Sequence, residues 1–172
     1  RHLGVFSYGC RLMGKVATLN ELRALRRAWA AQGKVVVLTN GCFDLLHAGH
    51  IRYLRQAKAL GDVLVVGVND DASVGRLKGP RRPIVGQEDR AEILAALEPV
   101  DYVVMFAEDT AITIVKAIRP DVYAKGGDYG QGGKELPEAG AVVAGGGRVE
   151  ILPLAPGHSS TDLVRQVLDR FQ

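Results

Sequence analysis

The chain has 172 residues, of which 47% are apolar and 24% charged, and a net charge of +3 at pH 7. This composition is typical of one globular domain, and no apolar run approaches the ~20 residues that a membrane-spanning helix needs. The basic residues are scattered and aromatic residues make up only 6% of the chain, so neither a membrane nor a nucleic acid is an expected partner.

The ends and the cysteines of the chain suggest a cytoplasmic protein. Cys10 and Cys42 form no C-x-x-C pair and are too few for a disulfide framework, so we expect both thiols to be free in a reducing compartment. The opening residues also lack a secretory signal. Residues 1–12 show no periodicity, and we interpret them as an extension, natural or introduced by cloning; residues 13–172 form one predicted domain.

Helical and strand patterns alternate after Met13. Thr18 and Glu21 form a capping box that begins a helix over 18–32, and Gly33 ends it. The β-branched run KVVVLTNG lacks alternation, as expected for a strand covered on both faces. This run and similar apolar runs predict strands at 34–41, 62–69, 101–106, 121–127 and 148–154. The segments between and after them predict further helices at 50–60, 88–100, 110–120, 135–144 and 159–171.

This alternation predicts the fold class, α/β with a doubly wound, Rossmann-like, five-stranded parallel sheet. Ligands of such sheets bind at the carboxyl ends of the strands, which places residues 39–50, 69–82, 125–133 and 155–161 on one candidate rim. Residues 69–87 combine glycine and proline with basic side chains, and we expect them to form a mobile loop over the site.

Several common active-site motifs are missing from the chain. The glycine clusters do not fit G-x-G-x-x-G, and Lys134 is followed by Glu135 instead of the Ser or Thr of a P-loop. The nucleophile elbow G-x-S-x-G is absent as well. These absences disfavour dinucleotide-dependent hydride transfer, P-loop hydrolysis and a serine hydrolase.

His47 and His50, in the stretch GCFDLLHAGH, lie at a predicted helix start. Zinc would need further ligands, for which Cys42, Asp44 and His158 are candidates, but no recognised spacing unites them. A helix N-terminus mildly disfavours cations and attracts anions, so two imidazoles there make better sense beside a bound phosphate. Gly49 between them lets the backbone approach such a ligand.

The same stretch resembles the G-x-F-D-x-x-H-x-G-H motif of the cytidylyltransferase-like nucleotidyltransferases. A second motif of that family, a serine- and threonine-rich helix start, resembles HSSTDLV at 158–164. The stretches TNGCFDLLHAGH, RLKG, ALEPVDYVV and KGGDY together resemble the branch that makes ADP-heptose from heptose 1-phosphate and ATP. In contrast to glycerol-3-phosphate cytidylyltransferases, APGH precedes the serines here, where those enzymes have an arginine–threonine pair.

The resemblance implies direct attack by a sugar 1-phosphate on the α-phosphorus of ATP, which expels pyrophosphate. It implies Mg²⁺ bound through the triphosphate, with no dedicated protein metal site. Relatives often carry the domain behind a sugar kinase; since no kinase segment is present, we expect a separate kinase upstream. Whether the chain forms a homodimer or a monomer stays open. A cytidylyltransferase acting on glycerol 3-phosphate, a non-catalytic nucleotide-binding module and a zinc hydrolase stay open as alternatives.

The resemblance also suggests roles for individual residues. The predicted catalytic residues are His47, His50 and Lys78, assisted by Arg81 or Arg82, and we expect the histidines to donate hydrogen bonds to the leaving pyrophosphate. Arg90 either faces the site or is a surface helix residue. Phe43 is expected to pack, and Asp44 to orient the turn or help hold a metal. The predicted nucleotide or phosphate contacts are Asn40, Gly41, Cys42, Phe43, Gly49, Arg90, Ser159, Ser160 and Thr161, and the predicted substrate contacts are Asp44, Lys125, Gly126 and Asp128.

Overall fold

The computed structural model describes residues 15–127, 129, 135–153 and 159–171, which form six strands and seven helices. The strands are β1 (Lys15–Val16), β2 (Val36–Gly41), β3 (Val63–Asn69), β4 (Tyr102–Phe106), β5 (Val122–Gly126) and β6 (Arg148–Leu152). The helices are α1 (Leu19–Ala31), α2 (Ala48–Lys58), α3 (Asp71–Lys78), α4 (Gln87–Ala95), α5 (Ile112–Ile118), α6 (Ala139–Ala144) and α7 (Ser160–Phe171).

The strands form one parallel sheet in the order β1-β4-β3-β2-β5-β6. From β2 the chain moves outward through β3 to β4, and then returns to place β5 and β6 on the other side of β2. The direction of winding therefore reverses between β2 and β5, where doubly wound folds bind ligands. The predicted fold class is confirmed, with the two-residue strand β1 added at one edge of the five predicted strands.

Helices cover both faces of the sheet, which explains why its central strands are apolar without alternation. Successive residues of β2 point to opposite faces, so Val37 packs with Leu54 of α2 and Leu94 of α4, whereas Leu38 packs on the side of α1 and α5. Burial of each such Val or Leu side chain stabilises the fold by about 1.5–3 kcal/mol. The core is thus two apolar layers on either side of one sheet.

Aspartates fasten the amino ends of neighbouring strands. Asp121, just before β5, accepts a hydrogen bond from the backbone N–H of Val36 at 2.8 Å, and Asp101, before β4, accepts one from Leu64 at 2.7 Å. These bonds satisfy backbone N–H groups near the starts of β2 and β3 that the hydrogen bonds of the sheet leave unpaired. The predicted site lies at the other ends of the strands, their carboxyl ends.

The prediction of a mobile loop over residues 69–87 was wrong for its first half. Residues Asp71–Lys78 form helix α3, and Asp70 caps it by accepting a hydrogen bond from the N–H of Ser73 at 2.7 Å.

Within the described part of the chain, no helix is long and apolar enough to span a bilayer. Residues 1–12, with Cys10, and also Asp128 and His158, lie outside the described residues.

Candidate active site

The carboxyl ends of β2 and β5 meet through a polar cluster at the point where the winding reverses. The side-chain oxygen of Asn40 accepts hydrogen bonds from Lys125 at 2.8 Å and from the hydroxyl of Tyr123 at 2.5 Å. Burial lowers the pKa of Lys125, while Glu138 and Cys42 oppose that shift. The predicted residues Asn40 and Lys125 are thus brought together, with Gly126 following as the last residue of β5.

A sharp turn follows β2 and leads into α2. Phe43 lies in this turn with φ at +48°, a left-handed conformation that costs a non-glycine residue of order 1–3 kcal/mol. Its ring is buried in the core, as predicted, and a Cβ on Gly41 would lie only 3.1 Å from it. Burial raises the pKa of the Cys42 thiol, so Cys42 is not poised as a nucleophile.

The histidine pair lies at the N-terminus of α2. His47 is the N-cap residue, with extended backbone, and Gly49 and His50 lie in the first helical turn. The two imidazole rings stack with their centroids 3.9 Å apart, and the ring of Phe43 lies 5.4 Å from that of His50. The N-terminal end of the α2 dipole and both rings therefore lie together at the end of the turn.

His50 is held in its neutral form. Burial, together with the neighbouring His47, lowers its pKa from the ordinary 6.5 to about 4. The backbone N–H of His47 donates to Nδ1 of His50 at 3.4 Å, so Nδ1 is the acceptor nitrogen and the proton lies on Nε2. At neutral pH, His50 is accordingly a hydrogen-bond donor through Nε2 and carries no charge.

We expect the His50 imidazole to stay neutral from pH 8 down to about pH 5. Because its pKa is lower in the folded chain than in the unfolded one, only the unfolded chain gains a proton between pH 6.5 and pH 4, and stability falls as pH falls through that window. NMR titration of the ring Cε1–Hε1 signal measures this, with the chain in denaturant as control. A folded-state midpoint near 6.5 would contradict the assignment.

Arg90 ties three segments around the turn to α4. Its fully buried guanidinium donates to the carbonyl oxygens of Val85 (2.9 Å) and Cys42 (2.5 Å) and to the carboxylate of Asp71 (2.8 Å). Of the two interpretations of Arg90, the surface residue is therefore wrong, whereas its predicted contact with the nucleotide stays a prediction. The nitrogens Nε, Nη1 and Nη2 each serve a protein acceptor, so the group holds the turn and α3 in place.

Asp44 links the same turn to the segment that follows α3. One carboxylate oxygen accepts from Arg82 at 2.6 Å, and the other accepts from the N–H groups of Ile84 at 2.7 Å and Val85 at 3.1 Å. Burial alone would raise the pKa of Asp44, but these hydrogen bonds outweigh it and leave the pKa below its ordinary value. The contacts match the predicted turn-orienting role; substrate contact by Asp44 stays a prediction.

Of the basic side chains in residues 69–87, some are paired with other protein groups and others are exposed to solvent. Lys78 is the last residue of α3 and is exposed, and its charge, like those of Arg90 and Lys125, acts to lower the pKa of Cys42. Arg82 is committed to Asp44, whereas Arg81 is exposed. Among these basic residues, the predicted catalytic residue Lys78 is therefore both near the turn and open to a ligand.

The second motif meets the first at the start of α7. The hydroxyl of Ser160 donates to the carbonyl oxygen of Leu45 at 3.0 Å. Ser159 accepts a hydrogen bond from the N–H of Asp162 at 3.0 Å, which confirms the predicted cap, and Thr161 is exposed. The N-termini of α2 and α7 are thereby held on one side of the turn.

The structure adds residues that the sequence analysis did not single out. Asp71 anchors Arg90, and Tyr123 shares Asn40 with Lys125. Tyr53 of α2 donates to the carbonyl oxygen of Ala124 at 3.0 Å and bonds Thr39 at 2.7 Å, and burial raises its pKa to about 12. For Tyr123 a signal existed, since its spacing of two from Lys125 in a strand puts both on one face.

The described site contains donors rather than metal ligands. Across residues 15–127, 129, 135–153 and 159–171, no group of three or more His, Cys, Asp or Glu side chains is arranged to hold a metal ion. Backbone N–H groups at the N-terminus of α2, neutral His50, and the cations of Lys78 and Lys125, which both act on Cys42, lie around the turn that follows β2. Such an arrangement can bind phosphate groups and stabilise charge that develops on them.

Comparison with known proteins adds independent information. The model of the family described as Cytidylyltransferase-like matches residues 38–166. The Bifunctional protein HldE of Pelobacter propionicus is 50% identical over 160 residues, and that of Geobacter sulfurreducens is 49% identical over 160 residues. Each alignment covers 91% of this chain and 32% of the relative, so the chain spans about a third of the length of these relatives.

Solved structures show the same fold. The lipopolysaccharide core biosynthesis protein of Thermoplasma volcanium has a TM-score of 0.57 at 32% identity, over 72% of this chain and 98% of that one. The pantoate-beta-alanine ligase of Francisella tularensis has a TM-score of 0.54 at 13% identity, over 92% of this chain and 77% of that one. At that identity the second likeness concerns the fold alone.

Proposed function

Because the chain belongs to the cytidylyltransferase-like family, as its two motifs predict, we propose that it transfers AMP from ATP to a sugar 1-phosphate. The products would be an ADP-sugar and pyrophosphate, and we propose a heptose 1-phosphate as the acceptor. The chain is a nucleotidyltransferase by family; the nucleotide and the acceptor are the proposal. The observation that carries it is the neutral His50 donor at the N-terminus of α2, where the sheet winding reverses.

The reaction needs donors more than bases. A phosphate monoester has a second pKa near ~6, so most of the acceptor is already dianionic at pH 7 and attacks without a general base. Its oxygen forms a bond to the α-phosphorus while the bond to the pyrophosphate oxygen breaks, so negative charge grows on the leaving group. The site must align two anions and stabilise that growing charge.

The histidine pair is suited to the leaving group. Nε2–H of His50 donates without adding a charge that solvent must compensate, and the N-terminal N–H groups of α2 donate beside it. Since these donors are fixed by stacking with His47 and packing on Phe43, they need no reorganisation as the transition state forms. We assign both histidines to the pyrophosphate oxygens.

The cations would divide between the two reacting anions. Lys78, exposed at the end of α3, is assigned to the β- and γ-phosphates of ATP. Lys125, half-buried beside Asn40 near the end of β5, is assigned to the incoming sugar phosphate. Arg90 touches neither in this assignment and acts as a positioning residue, since its donors hold the backbone of the turn and Asp71.

Mg²⁺ would enter as part of the substrate, the magnesium complex of ATP. This cation is usually held by phosphates, waters and few carboxylates, and the carboxylate nearest the turn, Asp44, already accepts three hydrogen bonds. The described residues thus suit a metal that the triphosphate brings with it. The bound ion would neutralise charge on the phosphates. The residues of the chain would align the two anions and donate hydrogen bonds to the leaving group.

The choice of ATP and a heptose phosphate has two supports. One is the resemblance of TNGCFDLLHAGH, RLKG and KGGDY to the ADP-heptose branch. The other is that a relative at 32% identity is named a lipopolysaccharide core biosynthesis protein. A cytidylyltransferase acting on glycerol 3-phosphate is the competing assignment. A separate kinase, a homodimer and a cytoplasmic location stay predictions.

A substrate screen tests the proposal directly. We expect pyrophosphate release when the protein is incubated with D-glycero-D-manno-heptose 1-phosphate, Mg²⁺ and ATP, and a much smaller kcat/KM with CTP. Glycerol 3-phosphate with each nucleotide is the matched control for the acceptor. Release of pyrophosphate only with CTP would reassign the nucleotide, and no release with any pair would leave a non-catalytic nucleotide-binding module.

A further inference from the structure

A basic cavity of about 440 Å³ lies between α1 and α5, which we call the α1–α5 pocket. Its wall carries five cations: Arg23, Arg26, Arg27, Lys116 and Arg119. Between these cations the lining includes the small apolar side chains of Ala30 and Ala117. A volume of this size is within the range of ligand pockets for small molecules.

The pocket lies at the amino ends of the strands, whereas the candidate active site lies at their carboxyl ends. Arg26 on its wall bonds the carboxylate of Asp121 at 2.9 Å, and the other oxygen of Asp121 accepts the N–H of Val36 at 2.8 Å. Asp121 and Val36 stand at the amino ends of β5 and β2, whereas Lys125 and Asn40 stand at their carboxyl ends. The reaction proposed above therefore does not account for these cations.

Protein groups neutralise only part of this charge. Arg26 is paired with Asp121 and also donates to the carbonyl oxygen of Arg119 at 3.1 Å. In the described part of the chain, no ion pair is recorded for Arg23, Arg27 or Lys116, all of which are exposed. Arg23 and Arg27 are four residues apart on one helix, a spacing that makes like charges repel.

The ends of nearby helices explain two of the cations but not the others. Lys116 and Arg119 lie at the carboxyl end of α5, where cations are favourable, and Arg119 also donates to the carbonyl oxygen of Gly145 at 3.3 Å. Arg23 and Arg27 lie in the middle of α1, where the helix dipole gives no such benefit. Their convergence on a concave, partly apolar surface points to an anion.

We propose that the α1–α5 pocket binds a small molecule through a diphosphate group. Two phosphate groups at about −1.5 charge each would balance Arg23, Arg27 and Lys116, and arginine binds phosphate oxygens with paired donors. Arg26 is already fixed by Asp121, so part of the site is rigid before binding. The volume of about 440 Å³ leaves room beside Ala30 and Ala117 for an organic group, which a nucleoside diphosphate has and inorganic pyrophosphate lacks.

Titration followed by ¹H–¹⁵N NMR separates this pocket from the active site. Pyrophosphate and ADP are added in separate experiments, and the amides of Arg27 and Ala117 report on the pocket while those of Gly41 and Ala48 report on the active site. We expect saturable shifts at Arg27 and Ala117 in both. Tighter binding of ADP would show that the pocket also takes the nucleoside; equal binding would show that the diphosphate alone is recognised.

A double variant and its control complete the test. Arg23→Gln with Arg27→Gln should weaken binding at the pocket by about tenfold or more and leave the shifts at Gly41 and Ala48 unchanged. Arg55→Gln with Arg165→Gln removes the same charge elsewhere and should leave both sets unchanged. The proposal is overturned if neither ligand gives saturable shifts at the pocket, if sulfate at equal ionic strength gives the same shifts, or if the control variant weakens binding equally. Loss of the active-site shifts alone would count against the proposed function instead.

Discussion

Replacing His50 with alanine should lower kcat by about 10²–10³-fold while changing the dissociation constant of ATP by less than about threefold. The reason is that Nε2–H of the neutral ring is aimed at charge that appears mainly in the transition state, when pyrophosphate departs. In the ground state the triphosphate keeps the other donors of α2 and the cation of Lys78. His47→Ala should behave in the same way, since the rings are stacked and act on the same leaving group.

Single-turnover kinetics and nucleotide binding by calorimetry measure the two quantities separately. Arg55→Ala, at the other end of α2, is the matched control and should leave both unchanged. His50→Gln retains an N–H donor near Nε2 and should recover part of the rate. Loss of ATP affinity with kcat intact would assign the histidines to ground-state binding and would refute their role at the leaving group.

The fold followed from the sequence because its signals are local. Thr18 and Glu21 form the predicted capping box, with Thr18 N–H donating to the Glu21 carboxylate at 2.7 Å. The unbroken apolar runs of β2 and β3 reflect a sheet that is covered on both faces. Burial periodicity and capping act within a few residues, and a single sequence displays both.

The elements that were missed have weak local patterns. Strand β1 contributes two residues, Lys15 and Val16, and exists because β4 offers it an edge. Helix α3 contains Gly75 among charged residues, and its apolar side is narrow, so composition favoured a loop. Its cap was nevertheless readable, because Asp70 is an aspartate placed before a short helical stretch.

The candidate site was predictable in part for the same reason. The spacing of His47 and His50 and the position of Lys125 at a strand end are local facts that point to one rim of the sheet. Apart from Val85, which lies five residues before Arg90, the partners of Asp44 and Arg90 lie 19 to 48 residues away, and no spacing rule reveals them. For Arg90, the helical pattern did not distinguish a buried arginine that holds the turn by hydrogen bonds from an arginine on the surface.

Arg90→Ala should lower the free energy of unfolding by about 3 kcal/mol, which is about 6–12 °C in Tm for a chain of this size. The substitution leaves the carboxylate of Asp71 and two backbone carbonyl oxygens without their buried donor. Arg76→Ala, the matched control, breaks another Arg–Asp pair in which both side chains are 51% exposed, and it should cost less than about 1 kcal/mol.

Arg90→Lys extends the test, since one ammonium group cannot reach all three acceptors in the geometry of the guanidinium. We expect Arg90→Lys to recover less than half of the lost stability and to lower kcat/KM, because the turn that carries Cys42 and leads to His47 loses its anchor. Urea unfolding and steady-state kinetics on the same samples measure both. Full stability with lost phosphate affinity in Arg90→Lys would show instead that the guanidinium contacts the nucleotide directly, and Arg90 would then belong among the binding residues rather than the positioning ones.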